Sequence, residues 1–217
     1  MTGLIDWNQC LRYKEQTMRP QVTPSTREAR RLQTRERILG AAIAEFKHSG
    51  MTGAEVSAIV AAAGVAHGTF FFHFPSKEHV LLELESREEA RIAAEFARYL
   101  DSPHDMVSAL SEVVGLVTSQ EQRFGSVLFK EILALHFSPT RPHKDEWTDH
   151  PVIVLLVREI ERARGDGQAH PEVDAFYSAT FFLLGIYGVL TTTDNAEARD
   201  TMLAKLISTA VRGLEIR

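Results

Sequence analysis

The stretch GVAHGTFFFHFPSKEHVL, residues 64–81, decides the fold of this chain. Gly64 interrupts one apolar helical pattern, Pro75 stops the short segment that follows, and Ser76 is suited to cap the next helix. The pattern predicts short helices over residues 54–62 and 66–72 and a long helix over 77–100. Two short helices joined by a glycine turn are typical of a helix-turn-helix, whose second helix enters a DNA major groove.

The same stretch divides into a support and a surface. A reading helix needs apolar side chains behind it and small, polar or cationic groups in front. The predicted support is Ile59, Val65, Phe70 and Phe74. The predicted surface is His67, Gly68, Thr69 and His73, with at least one of Phe71 and Phe72, while Lys77 offers charge to a phosphate.

Helical patterns continue on both sides of this motif. Upstream, Ser25–Glu28 reads STRE, a capping box that starts a helix which Gly50 should end. Downstream, helices are predicted over residues 104–120, 123–136, from Pro151, 171–191 and 195–215, and no strand pattern occurs. The expected fold is all-α, with about nine helices. Its predicted parts are an arm (1–24), a three-helix helix-turn-helix domain (25–75) and a helical bundle for ligand binding and dimerisation (76–217).

Composition is that of an ordinary globular protein. The chain has 217 residues, 44% hydrophobic and 24% charged, and its single cysteine, Cys10, excludes an internal disulfide. We therefore expect a cytoplasmic protein, without a signal peptide and outside the membrane, since the longest apolar stretch, 181–190, is too short to span one.

Charge is unevenly distributed along the chain. The net charge is −5, but residues 1–80 carry ten Lys and Arg against seven Asp and Glu. Residues 81–217 carry fourteen against twenty-two, and five arginines lie within residues 26–37. A basic excess near the reading motif favours contact with nucleic acid.

The segments TRERILGAAIAEFKHSG (34–50) and VSAIVAAAGVAHGTFFFHFPSKEHVL (56–81) together resemble the TetR family of bacterial transcriptional regulators. The resemblance covers a little over a fifth of the chain. It implies a homodimer that binds a palindromic DNA operator through its N-terminal domains. It also implies that the C-terminal helices form a dimer interface and a pocket for a small-molecule effector, whose binding releases the DNA.

Carried over position by position, the resemblance implies DNA contacts at Ala66, His67, Gly68, Thr69, Phe71, Phe72, His73 and Lys77, with Arg35 among the arginines before residue 38. The chain departs from the family pattern at several of these positions. It has Ala54 and Glu55 where Ser or Thr is common, His67 in place of Lys, and Phe71 in place of Tyr. These differences predict weaker non-specific attraction to DNA and keep open an alternative, an interaction protein that has lost operator binding.

The C-terminal aromatic residues predict an apolar cavity for a hydrophobic or aromatic effector. The candidate lining residues are Phe124, Leu128, Trp147, Phe176 and Phe181. GIYG, residues 185–188, allows close helix approach, either across a dimer interface or within one chain.

We expect neither a metal nor another cofactor. His67 and His73 are six residues apart and do not share a helix face, and His136, His143, His150 and His170 are expected to be solvated loop histidines, one or two of which could line a ligand pocket. Because no nucleophile–base set or phosphate loop occurs either, an enzyme is not expected.

Overall fold

The computed structural model describes residues 25–139, 141 and 149–215. The predicted arm, Trp147 and His143 lie outside these residues. The part described contains nine α-helices and no strand, which confirms the all-α prediction. They are α1 Thr26–Gly53, α2 Val56–Ala63, α3 His67–His73, α4 Lys77–Leu100, α5 Met106–Phe124, α6 Ser126–His136, α7 Pro151–Gly165, α8 Ala175–Thr192 and α9 Ala196–Leu214.

Most helix ends follow local signals in the sequence. Asp105, Asp174 and Asn195 accept hydrogen bonds from the backbone N–H three residues on, at 2.8, 3.0 and 2.8 Å, and so cap α5, α8 and α9. Pro151 occupies the first turn of α7, where a missing N–H has no consequence. The bounds predicted for α4 are correct, whereas α5 extends to Phe124, four residues beyond its predicted end.

The chain divides into two units, one up to Arg37 and one from Ile38 onward. In the first unit, the Glu28 N–H donates to the Ser25 hydroxyl at 3.3 Å, as the capping box predicts. The second unit holds the helix-turn-helix and the C-terminal helices together. The functional boundary that we place at residue 75 stays a prediction.

The turn between α2 and α3 depends on Gly64. Its φ of 61° and ψ of 45° lie in the left-handed region that favours glycine. Its N–H donates to Ala61 O at 3.1 Å, and the Val65 N–H donates to Val60 O at 3.0 Å, which completes the helix end. The two helices are bent by 96° relative to each other, within the range of helix-turn-helix motifs.

Phenylalanine rings form the core of this motif. Phe46 from α1 and Phe70 and Phe74 from the opening stretch are fully buried, as is Ile59 of α2. Burying each ring contributes roughly 1.5–3 kcal/mol to folding. Val65 is partly buried against the same core, so the predicted support is confirmed.

The helices after residue 76 pack as a bundle. Helix α4 packs against α5 and α7, and α8 packs between α7 and α9. A Cβ atom on Gly185 of α8 would lie 2.8 Å from Leu206 Cδ1 of α9, so this glycine allows close packing within one chain. No such contact occurs at Gly188, where a Cβ would meet open space.

Helix α8 is long and apolar enough to cross a membrane by length and composition alone. Half of its 18 residues are buried inside the bundle, and buried core helices commonly meet the same criteria. The apolar character of α8 is therefore explained by its packing against α7 and α9.

Candidate nucleic-acid interface

The outer face of α3 is exposed over several consecutive positions. Ala66, His67 and Gly68 are exposed, and Thr69 is half-exposed. Phe71 and Phe72 are 48% and 73% exposed, which is unusual for large apolar rings. The structure thus gathers six of the predicted DNA-facing residues on one surface, which we call the α3 face (Ala66, His67, Gly68, Thr69, Phe71, Phe72).

Within the α3 face, His67 and Phe71 lie one helical turn apart, and their ring centroids are separated by 5.3 Å. Phe71 also meets the buried Phe70 ring edge to face at 5.3 Å. These contacts hold the exposed aromatic ring in place, and no Tyr hydroxyl is present there to bind a phosphate. The surface therefore offers an imidazole, a hydroxyl and two apolar rings.

His73 does not belong to this face, and the prediction that it is exposed is wrong. Its side chain is buried because position 73 lies three residues from Phe70, on the side of α3 that packs against the core. His73 was assigned to the surface from its polarity and from the resemblance to the family. Its position in the helix, on the same side as Phe70, places it against the core instead.

Lys77 at the start of α4 has a structural role that the sequence did not predict. Its ammonium donates to Met51 O at 2.6 Å and to Ala54 O at 2.9 Å. These bonds use two of its three donors on the backbone that leads into α2. Lys77 thus fixes the motif internally, and the phosphate contact that we predicted competes with those bonds.

Glu131 of α6 holds the same backbone from the other side. Both of its carboxylate oxygens lie 2.9 Å from the Met51 N–H. The neighbouring Gly50 has a φ of 69°, and a Cβ there would lie 3.1 Å from Glu131 Oε1. Glycine is therefore required at position 50 both by its backbone conformation and by this carboxylate. Sequence analysis missed Glu131, which is 80 residues away along the chain.

Two smaller features surround the α3 face. Ser76 occupies the N-cap position of α4, but its hydroxyl bonds to His79 Nδ1 at 3.0 Å instead of capping the helix. Glu55 precedes α2 and is exposed, and the Ser57 hydroxyl donates to its carboxylate at 3.3 Å. Ser57 therefore supplies a hydroxyl near the start of α2, where Ser or Thr is common in the family. The comparison of Ala54 and Glu55 with the family pattern had overlooked it.

Arg35 lies in the first unit, on α1, and is half-exposed. Arg27, Arg30 and Arg31 on the same helix are exposed. A phosphate contact by this cationic segment stays a prediction.

The C-terminal helices form an apolar pocket of about 240 Å³ that is partly open to the surface. Phe181 lines it, together with side chains from α5, α7 and α9, including Leu110, Leu156 and Leu206. Of the other predicted effector contacts, Phe124 and Leu128 are buried, Phe176 is partly buried against the core, and none of the three lines this cavity. The structure therefore does not bring the predicted set together.

A buried polar cluster lies elsewhere in the bundle and contradicts the prediction of solvated loop histidines. His136 Nδ1 contacts Glu85 Oε1, and His150 Nε2 lies 3.4 Å from Glu89 Oε1. Arg141 Nη2 donates to Glu85 Oε2 at 2.9 Å. We call Glu85, Glu89, His136, Arg141 and His150 the Glu–His cluster. His170, in contrast, is half-exposed and accepts a hydrogen bond from its own loop.

The cluster shifts the pKa of one member, Glu89, and of the neighbouring Tyr187. Burial raises the pKa of the Glu89 carboxyl, but the hydrogen bond from His150 and the charges of His150, His136 and Arg141 outweigh burial and lower it. Burial raises the pKa of the nearby Tyr187 phenol far above its ordinary value, and the charges of Glu89 and Glu85 add to this effect. Glu89 is thus held ionised and Tyr187 neutral.

Two short helices bent by 96°, the second with an exposed outer face, form a helix-turn-helix on a scaffold that is helical throughout the described residues. Such motifs are typical of DNA-binding regulators. Residues 38–84 match the family model for bacterial regulatory proteins of the tetR family. The chain is 31% identical to the HTH-type transcriptional repressor KstR of Mycolicibacterium smegmatis, over 70% of this chain and 72% of KstR. It is 26% identical to the regulator UidR of Escherichia coli, over 83% and 92%.

A solved structure shares the fold of this chain. The repressor FadR of Thermus thermophilus, solved in complex with lauroyl-CoA, has a TM-score of 0.64 and 24% identity, over 84% of this chain and 96% of FadR. The chain belongs to the TetR family of bacterial regulatory proteins. It is a transcriptional regulator and not an enzyme.

Proposed function

We propose that this regulator is a repressor that binds a palindromic operator as a homodimer and releases it when a small hydrophobic or aromatic effector binds. The observation that carries the proposal is the exposed α3 face, supported by fully buried Phe70 and Phe74. Such a face suits the major groove, where apolar rings meet thymine methyl groups and a histidine meets a base edge or a phosphate. A function on DNA implies that the protein works in the cytoplasm.

The dimer is proposed to form through α8 and α9. Tyr177 and Phe181 of α8 are 57% and 65% exposed, and Met202 of α9 is 45% exposed. The Tyr177 and Phe181 rings stack on each other, with centroids 6.0 Å apart. Large apolar side chains that remain at the surface of a protomer mark an interaction site. A twofold arrangement would place two α3 helices about 34 Å apart, one turn of DNA.

The effector is proposed to bind in the apolar cavity beside Phe181. Its lining is dominated by Leu, Ile, Ala and Phe side chains, with Ser178 and Thr209 as polar groups. This chemistry favours a hydrophobic or aromatic compound over a sugar phosphate. The complex of the related FadR with lauroyl-CoA is consistent with an effector that carries an apolar chain.

Operator binding is tested with the DNA upstream of the coding sequence. Fluorescence anisotropy should show a dimer binding this DNA, with affinity that falls steeply as salt rises. His67→Ala should weaken specific binding, whereas His170→Ala, which changes a histidine far along the chain, should not. If the folded wild-type dimer binds this DNA neither specifically nor non-specifically at low salt, the alternative is favoured, an interaction protein without an operator.

Dimer formation is tested separately. Phe181→Ser should shift the protein toward monomer in sedimentation velocity, and Val127→Ser, at another exposed apolar position, should not. If both variants sediment as the wild type does, the interface lies elsewhere.

A further inference from the structure

The Glu–His cluster has the composition of a transition-metal site. Glu85 and Glu89 lie one turn apart on α4 and point the same way, and His136 comes from the end of α6. One ligand atom from each of these three residues lies within 4.8 Å of the other two. From the geometry we infer that this cluster binds a divalent transition-metal ion of the zinc class, through Glu85, Glu89 and His136, with His150 beside them.

The distances suit one ion. Ligand atoms of a tetrahedral zinc ion stand roughly 3.3–3.6 Å apart, given zinc–ligand distances of about 2.0–2.2 Å. The separation of 3.4 Å between His150 Nε2 and Glu89 Oε1 already equals this spacing. The ligand atoms of Glu85, Glu89 and His136 lie within 4.8 Å of one another, and the pair formed by His136 Nδ1 and Glu85 Oε1, which is in direct contact, has to separate to admit an ion. His150 therefore supplies a fourth nitrogen or orients Glu89.

The charges also favour a cation. Glu85 and Glu89 bring two carboxylates into the bundle, and Arg141 supplies one fixed positive charge to Glu85. Nearly all of the Glu85 and His136 side chains is removed from water. A buried carboxylate is costly unless it is paired, so the negative charge that Arg141 does not balance favours a bound metal ion.

The ligand set selects the kind of metal. Two carboxylates with one or two imidazoles suit zinc and the later first-row ions, whereas magnesium and calcium prefer oxygen ligands throughout. Arg141 Nη2 donates to Glu85 Oε2 and orients that carboxylate as a supporting group. Its Nη1 lies 3.4 Å from His136 Nδ1, so the guanidinium has to move away from this nitrogen when a metal ion binds.

The site is joined to the helix-turn-helix through two helices. Glu85 and Glu89 lie on α4, which begins at Lys77, and His136 lies on α6, five residues after Glu131. Lys77 and Glu131 bond to the carbonyl and N–H of Met51. His136 Nδ1 and Glu85 Oε1 are in direct contact, so an ion inserted between them would push the end of α6 away from α4 and shift these bonds. Metal binding is therefore expected to weaken operator binding; this consequence rests on the proposed function.

Metal binding is tested on the full chain after treatment with EDTA. Co²⁺ should bind once per chain at this site and give the visible absorption of four- or five-coordinate cobalt, and Zn²⁺ should displace it. Glu89→Gln, which keeps the side-chain size, and His136→Asn should each weaken Zn²⁺ binding at least tenfold by competition titration. Circular dichroism verifies that each variant is folded.

His104→Asn is the matched control, because His104 also contacts a buried carboxylate, Glu159, at 3.0 Å, outside the cluster. Zn²⁺ affinity should be unchanged in this variant. Absence of cobalt absorption in the folded wild type, or equal weakening in the control, would overturn the inference.

Operator binding separates the two proposals. Saturating Zn²⁺ should weaken operator affinity about tenfold, within the usual range of coupling between two sites, and the Glu89→Gln variant should lose that response. Zn²⁺ binding in a chain that binds no operator would leave the metal site standing and refute the proposed function. A chain that binds the operator but takes up no Zn²⁺ or Co²⁺ when either is added would overturn the metal site and leave the proposed function standing.

Discussion

Both carboxylate oxygens of Glu131 lie 2.9 Å from the Met51 N–H, and this bond links α6 of the bundle to the backbone that leads into the helix-turn-helix. Lys77 binds the carbonyl of the same residue. The Met51 peptide is thus held from α4 and from α6. Any ligand that changes the relative position of these two helices changes the support of the α3 face.

Replacing Glu131 tests this link. Glu131→Ala should lower the free energy of unfolding by about 1–3 kcal/mol, because the partly buried Met51 N–H loses a charged acceptor. Glu131→Gln, which keeps one acceptor oxygen, should cost less. Urea denaturation measures both, with the exposed Glu172→Gln as control. Equal stability of the Ala and wild-type proteins would mean that water replaces the carboxylate.

Replacing Lys77 tests whether its ammonium group holds the motif internally or binds a DNA phosphate. Lys77→Met should lower the free energy of unfolding by about 1.5–3 kcal/mol, since two carbonyls lose a charged donor. The slope of log affinity against log salt should stay unchanged. A slope smaller by about 0.9 would show that Lys77 does bind a phosphate.

The sequence predicted the helices and the support of α3 because both depend on short-range signals. Gly64, Pro75 and Pro151 act through their own backbone geometry, and Phe70 and Phe74 follow the helix period. His73 was assigned to the surface although it lies three residues from Phe70, on the side of α3 that faces the core. In a seven-residue helix this short-range spacing is the one signal for its burial.

The buried Glu–His cluster could not be predicted in the same way. Its members come from positions 85 to 150 and meet only after α4, α6 and the segment before α7 have packed. The one local signal was the spacing of Glu85 and Glu89, four residues apart, which is equally common on solvated helix faces. The prediction of the effector-binding residues failed for a related reason. Aromatic composition indicates that a cavity is present, but it does not indicate which rings line the cavity.

Gly68 separates operator affinity from stability. A Cβ added at Gly68 meets no atom within 4 Å, so Gly68→Ala should fold normally and gain up to about 1 kcal/mol from helix propensity. On the α3 face the added methyl group would hold the backbone away from DNA, and affinity should fall about tenfold, or 1.4 kcal/mol. Gly115→Ala, also in open space on α5, is the control for thermal unfolding and anisotropy. Unchanged affinity would place Gly68 outside the contact.

Glu159 contributes to the loss of folding stability at acidic pH. Burial raises its pKa, but hydrogen bonds from Arg162 and His104 outweigh burial and lower it below 4.5. In the unfolded chain this carboxylate takes up a proton first, so its contribution is complete above pH 4.5 and is lost as the pH falls through the folded-state pKa. Glu159→Gln should therefore flatten the decline of unfolding free energy between about pH 5 and pH 3. Parallel curves for variant and wild type would contradict this assignment.

Replacing Glu55 tests whether the small positive charge of the surface near α3 limits DNA binding. It is exposed at the N-cap of α2, where a carboxylate repels an approaching phosphate. Glu55→Gln should raise operator affinity several-fold at low salt, and the gain should shrink toward physiological salt as screening shortens the interaction. Anisotropy at two salt concentrations measures this, with Glu172→Gln as the matched control. A gain of the same size in the control would reflect net charge alone, and no gain in either variant would mean that Glu55 does not face DNA.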